Sequence, residues 1–298
     1  MKFAYSDQYD LHLGDHVFPA VKYKLVRQKL LEDGVAKPND FVEPEPASDD
    51  DVALVHEREY IWKLKNGKLS YTEILRMEVP YSPELVRAVW LSAGGSILAG
   101  RLALEEGMAA NIGGGFHHAF PDHGEGFCVL HDVAIAIRRL QKHRLIERAL
   151  TVDLDVHQGN GTAAIFAGDS SVFTFSMHQE NNYPYPKPPS SLDINLPDGT
   201  GDKEYLRLLQ QSLDRIFESF SPNVIFYLAG ADPYREDQLG GLKLTLEGLA
   251  ERDRVVIGRA HTLAIPLVIT LAGGYARKLE DTVQIHTHTM RIAKDFAR

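Results

Sequence analysis

Cysteine is almost missing from this chain: Cys128 is the only one in 298 residues. A single thiol excludes an intramolecular disulfide framework and any zinc ribbon built on cysteine. Long apolar runs are missing too. None reaches the roughly 18 residues of a membrane-spanning helix, and the opening MKFAYSDQYD has no apolar core of a secretory signal. There is no basic excess: 32 Lys and Arg stand against 41 Asp and Glu, for a net charge of −9. That balance disfavours sequence-independent binding to nucleic acid and tolerates a cationic substrate. No repeat recurs at solenoid spacing. These absences predict a cytoplasmic protein with neither nucleic acid nor membrane as partner, and they leave the oligomeric state open.

What remains is an ordinary globular composition, 44% hydrophobic and 24% charged. The length suits one α/β unit with a large core, so residues 1–298 are read as one domain. The pattern predicts a short strand at 3–5, a helix from Val21 to about Gly34 and a short helix at 52–55. It then predicts a long helix at 85–104 opened by Ser82-Pro83-Glu84. Gly94, Gly95 and Gly100 inside the long helix imply close packing against a neighbour. An apolar run at 109–112 and a helix at 130–140 follow. Strands at 172–176, 223–228 and 266–271 then alternate with helices at 203–217, at 244–261 and from about 279. Residues 11–19 read as loop and 37–51 as a solvated connection. Residues 178–197, rich in Pro and Tyr, read as a long rim-forming loop. Alternation of this kind predicts a mostly parallel sheet with helices on both faces, which binds ligands beyond the carboxyl ends of its strands.

The polar clusters fall at those ends. In TVDLDVHQGNGT, Asp153, Asp155 and His157 alternate with Val152, Leu154 and Val156, the period of a strand that projects three metal-capable groups from one face. Unpaired buried carboxylates are costly, and a bound cation is the simplest compensation. Asp232, in LAGADPY, supplies a further oxygen from another strand end. One imidazole and two carboxylates with an open position suit a catalytic Zn2+, while carboxylates also suit Mn2+ or Fe2+. His117 and His118 follow three glycines and can do the acid/base work of amide hydrolysis. Tyr275, after Gly273 and Gly274, can set a phenol against a developing oxyanion. Phe127, beside Gly126, suits an apolar slot. His143, His261, His286 and His288 read as solvated helix residues.

Taken in order, NIGGGFHHAFPDHGEGFCVLHD, TVDLDVHQGNGTAAIF, FTFSMH, LAGADPY and LAGGY resemble the histone deacetylase family of the arginase/deacetylase superfamily. The forms GGGFHHA, DVHQGNG and DQLGGLKLT are most similar to the class IV enzymes and their bacterial relatives. The resemblance spans nearly the whole chain and implies a minimal catalytic domain: a single-domain α/β arginase/deacetylase-like fold with its active site at the strands' carboxyl ends. It also implies roles. Asp155, His157 and Asp232 would hold zinc, His118 would be general base and acid, and His117 would pair with Asp153. Tyr275 would polarise the substrate carbonyl. Asp153, Asp155, His157 and Ser176, with the main-chain carbonyl of Met177, would surround a monovalent cation, usually potassium. Phe166, Asp169 and Val172 would form part of a second such site. Gly126, Phe127, Tyr183, Leu239 and Gly273 would line the substrate tunnel. Asn160 stands where class I members carry an Asp partner for the second histidine, and Lys22 lies where they carry an arginine beside the acetate exit.

The implied reaction is hydrolysis of an Nε-acyl-lysine in a peptide or protein, with the acyl chain length open. The rivals are a deacetylase of acetylated polyamines or another small acylated amine, a binuclear manganese ureohydrolase, and a silent acyl-lysine binding module. Asn160 speaks against the ureohydrolase, which would want an acid there. The intact His117, His118 and Tyr275 speak against a silent reader.

Overall fold

The computed structural model describes residues 1–11 and 13–297; His12, inside the segment read as loop, and Arg298 lie outside it. Among the described residues eight strands form one sheet. They are β1 (Lys2–Ala4), β2 (Phe41–Val42), β3 (Met108–Asn111), β4 (Ala149–Asp153), β5 (Val172–Gln179), β6 (Leu192–Leu196), β7 (Val224–Leu228) and β8 (Leu267–Thr270). Their order is β2-β1-β3-β8-β7-β4-β5-β6, and every neighbouring pair is parallel.

A parallel sheet needs cover on both faces, which explains why β3, β4, β7 and β8 are buried at every residue. Alternate side chains enter different cores. Val224, Phe226 and Leu228 join Val268, Ala149 and the helices Pro83–Glu106 and Asp132–Lys142 on one face. Ile225 and Tyr227 join Leu267, Ile269 and the helices Asp202–Ser219, Leu246–Thr262 and Leu279–Phe296 on the other. The glycines of the long helix are closely packed, as expected: a side chain on Gly94 would meet the Glu45 carbonyl, one on Gly95 the Tyr9 hydroxyl and one on Gly100 the Leu140 side chain. No helix among the described residues is long and apolar enough to cross a membrane.

Several expectations need correction. The strand ALTVD stops at Asp153, so Asp155 and His157 do not share a strand face with it. The cause is local. The Asp155 amide donates to the Asp153 carboxylate at 3.2 Å and the His157 amide to the Asp155 carboxylate at 3.0 Å. Each Asp thereby captures the backbone two residues on, in the manner of an Asx-turn, and pulls it out of the ladder. The loop read at 178–197 contains the end of β5 and all of β6, and the connection read at 37–51 contains β2. The short acidic helix runs Asp49–Val52, because the Ser48 hydroxyl caps it three residues earlier than expected. Helices Arg58–Asn66 and Tyr71–Met77 were not foreseen. His286 is fully buried, not solvated, because it sits on the core side of the last helix.

Candidate active site

The strand order puts β3, β8, β7 and β4 side by side, although their sequence positions span 108 to 270. Asn111 pairs with Thr270, Thr270 with Leu228 and Leu228 with Asp153, so the four strands end level. Just beyond that line β3 delivers His117 and His118, β4 delivers Asp155 and His157, β7 delivers Asp232 and β8 delivers Gly273 and Tyr275. Phe18, Gly115, Phe116, both histidines, Gly126, Phe127, Cys128, Asp155, Gly273 and Tyr275 line one small cavity there.

Asp155, His157 and Asp232 are all buried, and their ligand atoms lie within 4.8 Å of one another. Among the described residues Oδ2 of Asp232 has no hydrogen-bond partner; its nearest cationic neighbour, Nδ1 of His157, stands 3.5 Å away. Burial and repulsion from Asp155 raise the Asp232 carboxyl to about 7 against the pull of His157. An orphaned buried oxygen beside a second carboxylate and an imidazole fits a divalent cation with nitrogen and oxygen ligands. The fit is held by main-chain donors. Gly273 donates its amide to Asp155 Oδ2 at 2.8 Å, and Val156 donates to Asp232 Oδ1 at 2.8 Å. Gly273 is therefore a wall of the carboxylate site as well as of the cavity: a Cβ there would collide with both Asp155 and Asp232.

The paired histidines have opposite surroundings. His117 Nδ1 lies 2.7 Å from Asp153, and its Nε2 lies 3.7 Å from Asp155. Burial opposes its charge, but the two carboxylates win and raise it to about 9. His118 Nδ1 lies 2.7 Å from the neutral Oδ1 of Asn160. Burial, with the charges of His117 and His157, drives His118 well below its ordinary value, so the ring is neutral and basic at Nε2. Tyr275 moves the other way. Burial and the nearby Asp155 and Asp232 charges hold its phenol well above its ordinary range, so it remains a proton donor. Asp237 fixes the loop below it, accepting from the Tyr275 amide at 2.7 Å.

Phe127 and Tyr183 flank this centre. The Phe127 ring stands edge-on to Tyr275 at 6.0 Å, and the Tyr183 ring stands edge-on to His118 at 4.9 Å. Gly126, at φ 51°, lets the wall come close; a side chain there would strike Tyr183 and His118. Leu239 is tied to the Tyr183 segment through Asn182, which donates to its carbonyl at 2.8 Å, but it does not line the cavity. Ser176 lies beside Asp153 in the β4–β5 register, followed by buried Met177. The Asp169 carboxylate is already engaged by Arg138 at 2.6 Å and by Ser171.

Sequence reasoning missed Phe18, which packs edge-on against Tyr275 and Phe127. It also missed Asp237 and Glu125, and placed Lys22 only by analogy. Lys22 is wholly buried, with Nζ 2.7 Å from the Ala272 carbonyl and facing the Phe18 ring. Burial lowers its amine to about 8 against the pull of Asp232 and Asp155. Lys22 and Phe18 lie in an N-terminal stretch with no motif of its own, so only the fold brings them to the site.

Several known proteins are similar to this chain. An uncharacterized protein of Picosynechococcus sp. is 42% identical over 281 residues, covering 94% of each chain. Histone deacetylase 2 of Arabidopsis thaliana is 34% identical, over 94% of this chain and 77% of its own. The acetoin utilization protein AcuC of Staphylococcus aureus is 29% identical, over 91% and 76%. Two solved structures share the fold. The HD domain of HDA15 superposes with a TM-score of 0.82 at 22% identity, over 98% of this chain and 90% of that one. An HDAC homolog complexed with SAHA gives 0.85 at 23%, over 99% and 84%. The family model described as the histone deacetylase domain matches residues 16–290, and the chain belongs to that family of hydrolases.

Proposed function

We propose that the protein is a zinc-dependent deacylase that hydrolyses an Nε-acyl-lysine to free lysine and a carboxylate. The observation that carries this reading is the convergence of three groups: the Asp155, His157 and Asp232 cluster, which reaches the small cavity through Asp155, and a neutral His118 and a protonated Tyr275 that line the same cavity. Zinc on that cluster would polarise the acyl carbonyl and lower the pKa of water to about 7. Tyr275 donates its phenol hydrogen to the carbonyl oxygen as negative charge develops. His118 takes the proton of the attacking water at Nε2 and returns it to the departing amine as the C–N bond breaks. His117, charged and held by Asp153, adds positive potential beside the developing oxyanion. Phe127, Gly126 and Tyr183 flank the apolar stem of the lysine and exclude water around it. Asp153 and Ser176 are adjacent in the sheet and, with Asp155, His157 and the Met177 carbonyl, would hold a potassium ion; Asp169 and Arg138 neutralise each other at the second position.

The test is a turnover assay of the zinc-loaded protein on peptides carrying acetyl- to myristoyl-lysine, beside acetylated polyamines. Release of carboxylate from the peptides is the expected result. Turnover confined to polyamines would overturn the substrate class, and full activity after zinc is stripped would overturn the metal dependence.

A further inference from the structure

Glu125 has no part in the chemistry just described, yet its carboxylate joins two of the site's elements. Its Oε1 accepts from Asn160 Nδ2 at 2.7 Å and from the Tyr183 hydroxyl at 2.7 Å, and its Oε2 lies 3.4 Å from His123 Nε2. The main chain pins it there: the Glu125 amide donates to Cys128, and the Cys128 amide donates back to Glu125. Burial opposes its charge, but the bonds from His123, Tyr183 and Asn160 more than offset this and keep the carboxyl ionised, below its ordinary range.

A carboxylate can only accept, whereas an amide side chain has one accepting end and one donating end. Facing Glu125, Asn160 must present its NH2 group, and it therefore presents Oδ1 to His118 Nδ1. Because Oδ1 accepts only, the hydrogen of a neutral His118 must lie on Nδ1. A neutral imidazole carries one such hydrogen, so Nε2 keeps its lone pair. Without Glu125 the amide is free to turn over, and an NH2 group facing Nδ1 would select the opposite tautomer, useless as a base. The Asn160 Oδ1 also accepts from the Gly161 amide at 3.1 Å, a weaker hold on the same orientation.

We propose that Glu125 is a positioning residue for the hydrolysis: through Asn160 it fixes the tautomer in which His118 offers an unprotonated Nε2 to the attacking water. The proposal rests on the reading of His118 as general base. It is tested with Glu125→Leu, which removes the acceptor, and Glu125→Gln, which retains one. In Glu125→Leu, kcat falls on the order of 10²-fold with zinc content and KM unchanged, as expected when a base is misoriented and not when binding is lost. Glu125→Gln restores most of the rate. The double variant Glu125→Leu/Asn160→Ala is no slower than Asn160→Ala alone, because both act through one relay. Losses that multiply in the double variant, or an unchanged kcat in Glu125→Leu, overturn the proposal.

A second readout needs no turnover. Ring nitrogen NMR of the zinc-loaded protein, with His118 assigned by its absence in His118→Ala, should show the Nδ1–H tautomer in the wild type and in Glu125→Gln. The Nε2–H form should appear in Glu125→Leu, and a tautomer unchanged by Glu125→Leu overturns the proposal. Failure of the underlying reading looks different: His118→Ala would then keep its rate whatever the tautomer of the wild type.

Discussion

Gly273 and Asp155, 118 residues apart, meet through one hydrogen bond from the glycine amide to Oδ2 at 2.8 Å. The contact ties the exit of β8 to the exit of β4 across the intervening β7. It also sets a steric rule, since the space beside the Gly273 Cα belongs to the Asp155 and Asp232 carboxylates.

On the proposed zinc reading, Gly273→Ala is therefore expected to lose the metal before it loses its fold. Metal content measured after dialysis should fall well below one per chain, while the cooperative unfolding transition persists. A stoichiometric zinc complement in this variant would refute the close approach.

Tyr275→Phe removes one hydroxyl and no packing. If that hydroxyl stabilises the oxyanion, kcat should drop by about 10² to 10³, which is about 2.7 to 4 kcal/mol, with zinc content and thermal stability kept. Turnover close to wild type would end the role assigned to Tyr275.

Arg252 is buried behind the site. Its guanidinium lies 2.9 Å from Asp253 and donates to the Gly230 carbonyl at 2.6 Å, two residues before Asp232. Arg252→Met strands the buried Asp253 charge, so denaturant unfolding should show a loss of about 3 to 5 kcal/mol. Adding Asp253→Asn, which removes the charge and keeps one accepting oxygen for either Tyr227 or Thr289, should recover part of it. A loss below 1 kcal/mol, about that of a surface pair, would show that the charge is not stranded.

Acid should weaken the fold through its buried neutral histidines. Burial lowers His56 to about 4, and His131 and His286 lie well below their ordinary value for the same reason. An unfolded His titrates near 6.5, so below that pH the unfolded chain binds protons that the folded chain refuses. This contribution is complete above about pH 6.5 and is lost as pH falls toward the folded values, with a slope of up to about 1.4 kcal/mol per pH unit for each residue. His56→Gln keeps an acceptor for the His131 amide and should flatten the measured slope between pH 6.5 and 5 by close to one proton. An unchanged slope would remove His56 from this group.

Much of the site was legible because its residues come in motifs where glycines and acids cluster at strand ends, and the strands themselves are short apolar runs. The motifs themselves carry the Asp155, His157 and Asp232 trio, and the family resemblance carries the His117–Asp153 and His118–Asn160 pairs. What escaped has a common cause. β2 and β6 are short edge strands whose partly exposed residues lack the continuous apolar signature of the centre. The backbone turn at Asp153 and Asp155 was hidden because alternation in sequence is the same whether an acid faces out from a strand or captures its own main chain. Glu125, Phe18 and Lys22 matter through three-dimensional neighbours, and an isolated Glu between two glycines gives no pattern to read.

The strand order has a consequence for how the protein matures. β7 and β8 are inserted between β3 and β4, which precede them in the chain. Until residues 224–270 have emerged and docked, β3 and β4 present open edges, and Asp232, Gly273 and Tyr275 are not yet in place. On the proposed reading a nascent chain therefore cannot hold zinc in its working geometry or cleave an amide before the sheet is sealed, and sealing the sheet and arming the enzyme become the same event.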